Sequence, residues 1–292
     1  MEFRKLGRSG WEISAVGLGA MPLSLKENRP DEKQAIGVIR GAIEAGVNLI
    51  DTADAYCRDD GEAGHNERLI GKALNELPGN EKERIVVATK GGHVRPEGRW
   101  ETDGRPEHLR EVCEASLKNL GLEAIPLYQF HRPDPEVPMA DSLGELKKLK
   151  DEGKILNVGI SNVTMSEIEN AEKVVEIISV QNRFSPNHRS PETDGTFAIC
   201  LARNIAFLAW SPLNGMEEAK KLGEAVPDVQ EIAANHGVSA QALTLAWLLG
   251  KGPNIIPIPG ASRVESIRDS VKATGVRLSL EEIVRLDTCW KQ

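Results

Sequence analysis

The chain has 292 residues, 40% of them hydrophobic by type, which suits one large core; α/β barrels fill this length as one domain. Its 36 basic and 44 acidic residues give a net charge of −8 with no lysine- or arginine-rich run, which excludes a nucleic-acid footprint or a patch for anionic membranes. The opening Met1-Glu2-Phe3-Arg4-Lys5 is no secretory leader, no apolar stretch reaches bilayer length, and Cys57, Cys113, Cys200 and Cys289 have no paired spacing, so a cytoplasmic protein without disulfides or a metal site is expected.

Residues 2–6 and 11–14 flank Gly7-Arg8-Ser9-Gly10 and predict a β-hairpin. The text then alternates. Short apolar runs at 15–18, 47–50, 85–88, 125–129, 155–160, 177–180, 206–209 and 255–258 predict strands. Segments of helical period lie between them at 32–45, 66–76, 106–120, 142–151, 166–174, 228–235 and 263–273. Asp31 stands where the first helix needs an N-cap, and Gly46 where it needs a C-terminal glycine. Strands that are apolar throughout are buried on both faces, as in a parallel sheet. No Gly-x-Gly-x-x-Gly follows the first of them, which runs instead into Gly17-Leu18-Gly19-Ala20-Met21-Pro22. A single (β/α)8 TIM barrel domain over residues 1–292, with an N-terminal β-hairpin, is predicted ahead of an open doubly wound sheet. The irregular stretches 59–64, 91–104 and 185–194 then fall at the C-terminal rim, where barrel active sites form.

Polar residues stand where these apolar strands stop. The ends read Asp51-Thr52-Ala53-Asp54-Ala55-Tyr56, Thr89-Lys90-Gly91-Gly92, Gln129-Phe130-His131-Arg132-Pro133, Gly159-Ile160-Ser161-Asn162 and Val180-Gln181-Asn182. A carboxylate, a phenol, an ammonium and an imidazole thus converge on one rim. A buried unpaired Asp or Lys is costly, so Asp51 and Lys90 on neighbouring strands are expected to pair. Alone, that pair reads as a structural salt bridge; with Tyr56 and His131 beside it, as a site. His65, His93, His108, His188 and His236 lack metal-ligand spacing and are expected at the surface. Cys57 is expected to be inert, and Trp100, within 95–105, to wall a pocket or anchor its loop.

With the blocks Gly17-Leu18-Gly19, Asp51 to Tyr56, Asn66-Glu67, Thr89-Lys90, His131-Arg132-Pro133-Asp134-Pro135, Gly159-Ile160-Ser161-Asn162, Gln181-Asn182, Trp210-Ser211-Pro212-Leu213 and Pro259-Gly260-Ala261-Ser262 in order, the chain resembles the aldo-keto reductase superfamily along essentially its whole length. The resemblance implies a catalytic tetrad of Asp51, Tyr56, Lys90 and His131. Hydride delivery to a carbonyl carbon leaves charge on oxygen that needs a proton donor. Tyr56 would be that general acid, with Lys90 stabilising the phenolate, Asp51 holding Lys90, and a neutral His131 donating to the carbonyl oxygen.

The resemblance also implies a nicotinamide cofactor. Ser161, Asn162 and Gln181 would hold its carboxamide, Trp210 would stack on the ring, and Ser211 and Leu213 would meet the pyrophosphate. Ser262 and Arg263 open the last helix, where N–H groups and the helix dipole favour a phosphate, so NADPH is expected, with NAD as the alternative. Asp269 and Ser270 complete the adenosine end, where the family tends to carry Glu-Asn; Arg268 could face either way. The implied activity is reduction of small-molecule aldehydes or ketones to alcohols; a monomer is the default expectation. The alternative is a nucleotide-binding regulatory subunit resembling potassium-channel β-subunits. A short segment between Pro212 and Asp228, and no long loop after Trp290, predict a shallow, permissive substrate site.

Overall fold

A computed structural model describes residues 1–219, 221–222 and 226–290. The chain opens with an antiparallel hairpin of β1 (Phe3–Lys5) and β2 (Glu12–Ser14). Next come β3 (Leu18–Gly19), α1 (Glu32–Glu44), β4 (Leu49–Asp51), α2 (His65–Asn75), the one-turn α3 (Gly79–Lys82) and β5 (Val86–Gly91). A small hairpin of β6 (His93–Val94) and β7 (Glu101–Thr102) leads to α4 (Pro106–Leu120), β8 (Leu127–Phe130), α5 (Met139–Asp151), β9 (Val158–Ser161), α6 (Met165–Ala171) and β10 (Ile177–Arg183). The remainder is α7 (Thr196–Ala202), β11 (Ala206–Trp210), α8 (Met216–Ala219), α9 (Pro227–Asn235), α10 (Ala240–Leu249), β12 (Ile255–Pro257), α11 (Val264–Val271) and α12 (Leu280–Cys289).

Eight strands form one parallel sheet in the order β3-β4-β5-β8-β9-β10-β11-β12. Its two edges meet. Gly19 bridges Gly260 in parallel, with the N–H of Gly17 donating to the carbonyl of Pro257 (3.0 Å) and that of Gly19 to Pro259 (2.9 Å). A Cβ at Gly19 would lie 2.8 Å from the Ile258 oxygen, so closure needs glycine there. The fold is the expected (β/α)8 barrel with its N-terminal hairpin.

The hairpin covers the N-terminal end of the barrel. Arg4 donates to the carbonyls of Gly252, Ile255 and Leu249, and Arg8 to those of Arg203 and Ile177. At Gly7 (φ +51°) a Cβ would stand 2.3 Å from the Ile178 oxygen, so the turn can press against β10 only as glycine. Leu6 and Ile13 enter the barrel and join Leu49, Val86, Leu127, Leu208 and Ile256 in an apolar plug.

Local chemistry sets the helix ends. Asp31 accepts from the N–H of Gln34 while Gln34 returns a bond to Asp31, a capping box, and Gly46 takes a positive φ after α1. Thr164 with Glu167 and Ser279 with Glu282 repeat the box at α6 and α12. The short α3, α7 and α8 and the longer α10 and α12 lie outside the predicted set. In α10 nearly every residue is buried, so it has no polar stripe and no helical period to detect. In α12 the box Ser279-x-x-Glu282 is the signal that sequence reading passed over. The stretch 91–104, expected as an irregular loop, contains the β6–β7 hairpin. No helix among the described residues is long and apolar enough to cross a membrane.

Candidate active site

Strand alternation sorts the rim residues into two jobs. Thr52 and Thr89 face outward and fasten the strand ends to α2. The Thr52 hydroxyl donates to Asn66 Oδ1 (2.7 Å) and the Thr89 hydroxyl to Glu67 Oε1 (2.6 Å). Asn66 in turn donates to the Ala20 carbonyl and Ser24 Oγ, so the recognisable Asn66-Glu67 pair is a clamp behind the site. Their neighbours Asp51, Lys90, Gln129 and Gln181 face inward at the mouth, above the plug.

Lys90 is fully buried, and each of its three protons has a partner: Asp51 Oδ2 (2.8 Å), the Thr52 carbonyl (2.8 Å) and Tyr56 Oη (3.0 Å). Burial pulls its pKa down, but the Asp51 charge and the hydrogen bonds to Asp51 and Tyr56 offset this and hold the ammonium above its usual range. The other Asp51 oxygen accepts from Gln181 Nε2 (2.7 Å) and, more loosely, from Gln129 Nε2 (3.4 Å). Since Lys90 donates to Tyr56 Oη, the phenolic hydrogen must point elsewhere, and Tyr56 faces the cleft. Lys90 favours the phenolate through its charge and its hydrogen bond. Here burial dominates and, with the nearby carboxylates, outweighs Lys90, so the Tyr56 pKa is raised and the phenol is protonated at neutral pH. His131 packs edge-on to Tyr56, with ring centroids 5.8 Å apart. Burial, then Lys90, His93 and Arg132, push its pKa well down, so it is neutral. Its buried Nδ1 has no acceptor in reach, which leaves the proton to Nε2.

Asp51, Tyr56 and His131 lie in one cleft of about 1260 Å³ with Ser161, Asn162, Gln181, Trp210, Ser211 and Leu213. Ser161 donates to the Gln181 carbonyl (2.7 Å), and Asn162, at φ +59°, donates to the His131 carbonyl (3.0 Å) and Ser161 Oγ. The amide oxygens of Asn162 and Gln181 have no partner among the described residues. Trp210 lines the cleft, its ring under the Arg183 guanidinium and its Nε1 unpaired. An adjoining recess of about 460 Å³ shares Leu213 and Gly260 with the cleft and holds Ser262, Arg263, Asp269 and Ser270. There the Asp269 carboxylate accepts from Ser239 Oγ (2.5 Å) and Lys272 Nζ (3.1 Å), and Ser270 Oγ donates to the Ser266 carbonyl (3.0 Å). Arg268 faces away, toward Glu44 on α1.

Two features were not foreseen. Gln129 supports Asp51 from β8, two residues after Leu127 on the same face, and that spacing was the available signal. His93, expected at the surface, is only 8% exposed and stacks edge-on against His131. Trp100 does both jobs foreseen for it: it lines the cleft beside Tyr56 and carries the Arg95 guanidinium 4.1 Å above its ring. The ion pair of Asp51 and Lys90 is buried at the base of the site. Of the short segment after Pro212, residues 220 and 223–225 lie outside the described residues, as do those after Trp290.

The family model "Aldo/keto reductase family" matches residues 15–291. The chain belongs to this family. A probable aldo-keto reductase 1 of Glycine max is 34% identical over 96% of this chain and 86% of its own length. An uncharacterised oxidoreductase of Schizosaccharomyces pombe is 33% identical over 94% and 86%. Among solved structures, a thermostable aldo-keto reductase in complex with the inhibitor epalrestat has a TM-score of 0.83 and 33% identity, covering 99% of this chain and 100% of that one. A glycerol dehydrogenase from Gluconobacter oxydans has a TM-score of 0.84 and 26% identity, covering 98% and 94%. This aldo-keto reductase is therefore an oxidoreductase acting on small-molecule carbonyl compounds, from a family that generally uses nicotinamide cofactors.

Proposed function

We propose that this aldo-keto reductase, one domain over residues 1–292, reduces aldehydes or ketones to alcohols with NADPH, and that Tyr56 is the proton donor. The observation that carries the reading is the Lys90 ammonium, fully buried and shared between Asp51 and the Tyr56 oxygen beneath an open cleft. The donor set fits the cofactor. The unpaired amide oxygens of Asn162 and Gln181 suit a carboxamide NH₂, Trp210 offers a ring face, and Ser211 and Leu213 lead on toward Ser262 and Arg263 at the start of α11. Once bound, the nicotinamide supplies a hydride.

The chain's own residues supply the proton and the geometry. His131 Nε2–H orients a carbonyl oxygen beside the Tyr56 hydroxyl, and the Tyr56 proton passes to that oxygen as charge builds on it. The phenolate left behind faces an ammonium already in place, so no reorganisation is needed at that moment. In the reverse direction Tyr56 accepts the proton as general base. The relatives named as reductases and oxidoreductases give the regulatory-subunit alternative no support.

Fluorescence titration with NADPH and NADH separately tests this reading. Binding of both with NADPH the tighter is expected; binding of neither sinks it, and a clear NADH preference sinks the NADPH assignment.

A further inference from the structure

His93 is a second imidazole at the reacting end of the cleft, and the tetrad makes no use of it. Its ring centroid is 4.4 Å from that of His131 and 5.3 Å from that of Trp100, with edge-on geometry to both. Its Nδ1 lies 2.8 Å from the Glu101 carbonyl across the β6–β7 hairpin. A carbonyl oxygen only accepts, so the proton of a neutral His93 is on Nδ1 and Nε2 is a bare lone pair. That nitrogen has no protein partner among the described residues. It is not among the buried orphan atoms either, and His93 lines the cleft. Burial lowers its pKa, so the ring stays neutral and the lone pair available. The hairpin holds it rigidly: Trp100 packs on it from one side, and Arg95 stacks on Trp100 while donating to the carbonyls of Arg58 and Gly98.

Met21, Leu25, Val94, Val137 and the Trp100 ring line the same cleft, and the His93 ring that carries this acceptor packs directly against His131. An acceptor on the ring next to a carbonyl-orienting donor selects for a hydroxyl next to the carbonyl. We infer that His93 Nε2 is a specificity-determining acceptor and that the preferred substrates are α-hydroxy carbonyl compounds, reduced to vicinal diols. This rests on the reductase reading above. The reaction balances as before: hydride forms the new C–H bond, the Tyr56 proton forms the new O–H bond, the carbonyl π bond is lost, and the neighbouring hydroxyl only donates a hydrogen bond.

The test compares hydroxyacetone with 2-butanone, which differ by OH against CH₃ beside the same ketone. The kcat/KM ratio of the two is measured with NADPH for the wild type, His93→Leu and His93→Gln. His93→Leu is expected to lower the hydroxyacetone preference about tenfold, the size of one hydrogen bond. His93→Gln, whose amide oxygen can still accept, is expected to keep most of the preference. An unchanged ratio in His93→Leu overturns the inference while leaving the reductase reading intact. A wild type that binds no nicotinamide and reduces neither ketone overturns both. Should His93→Leu fail to fold, the wild type decides in the oxidative direction: faster oxidation of 1,2-propanediol than of 2-butanol supports the inference, and equal or slower oxidation overturns it.

Discussion

The two ends of the barrel interior hang on the same strands and differ by one pleat. Along β5 the inward residues are Val86, Ala88 and Lys90; along β4, Leu49 and Asp51; along β8, Leu127 and Gln129. A step of two residues, about 6.6 Å, carries the chain from an apolar plug to a buried ammonium. At the plug end any side chain of the right volume would serve. At the mouth the inward ion pair depends on its hydrogen-bond partners. Lys90 needs Asp51, Thr52 and Tyr56, and Asp51 needs Lys90 and Gln181. The plug is held by volume and the mouth by pairing, so they should break differently.

Lys90→Met breaks the mouth and has the largest expected effect. Turnover should fall about 10³-fold or more, because the developing phenolate loses its counter-charge. Stability should fall by about 3–5 kcal/mol, since Asp51 is left buried without its cation. Adding Asp51→Leu should recover most of that stability with no recovery of activity, as the Gln181 and Gln129 amides still bond each other at 3.2 Å. Denaturant melts beside steady-state rates check both; a double variant as unstable as the single would show that pairing is not what holds the mouth. Tyr56→Phe separates chemistry from structure at the same place. Turnover should drop about 10²–10⁴-fold while the melting temperature and NADPH affinity barely move, and retained turnover would remove Tyr56 from the proton-transfer role.

Leu127→Ala performs the converse experiment at the plug. Leu127 is fully buried, so its truncation should cost about 2–5 kcal/mol of stability while kcat per folded molecule holds. A matching collapse in kcat would mean the two ends are coupled through the strands. The pH profile sharpens the same contrast. Tyr56 is raised by burial and its acid form is the active one in reduction, so kcat/KM for reduction should stay level through neutrality and fall only above about pH 10, the ordinary phenol range. Alcohol oxidation needs the base form and should rise with pH over that interval. His131, held neutral by burial, should add no break near its usual range.

The plug and the mouth were unequally legible. Apolar runs separated by helical periods announce a barrel because burial on both faces leaves no alternation to misread, as in 177–180 and 206–209. The pairing of Asp51 with Lys90 was legible because a charged residue ending such a run has no innocuous place to go, whereas the roles proposed for Tyr56 and His131 came from the family resemblance. Helix α10 was not: a segment buried all round carries no amphipathic signature. His93 was not, because its burial depends on a hairpin that pairs it with Thr102 across a stretch holding Arg95, Pro96, Gly98 and Arg99, a contact no local pattern encodes. The raised Tyr56 pKa was out of reach for a related reason. Whether Lys90 or burial prevails depends on how far the phenol is withdrawn from water, which spacing does not report.

The adenosine end is where pairing matters least, and its prediction is the smallest. Arg263 is exposed at the N-cap of α11, has no partner among the described residues, and shares the recess with Ser262. Arg263→Ala should weaken NADPH binding about tenfold and leave NADH nearly untouched, because one solvated charge contact to the extra phosphate is lost. The loss is bounded because the α11 N-terminus keeps its free N–H groups and its dipole after the substitution. Arg268 does not line the recess and pairs instead with Glu44 on α1. Paired titrations with the two cofactors read the effect directly. An equal loss for both would place Arg263 on the shared pyrophosphate, and no loss for either would leave the NADPH preference resting on Ser262 and the helix terminus alone.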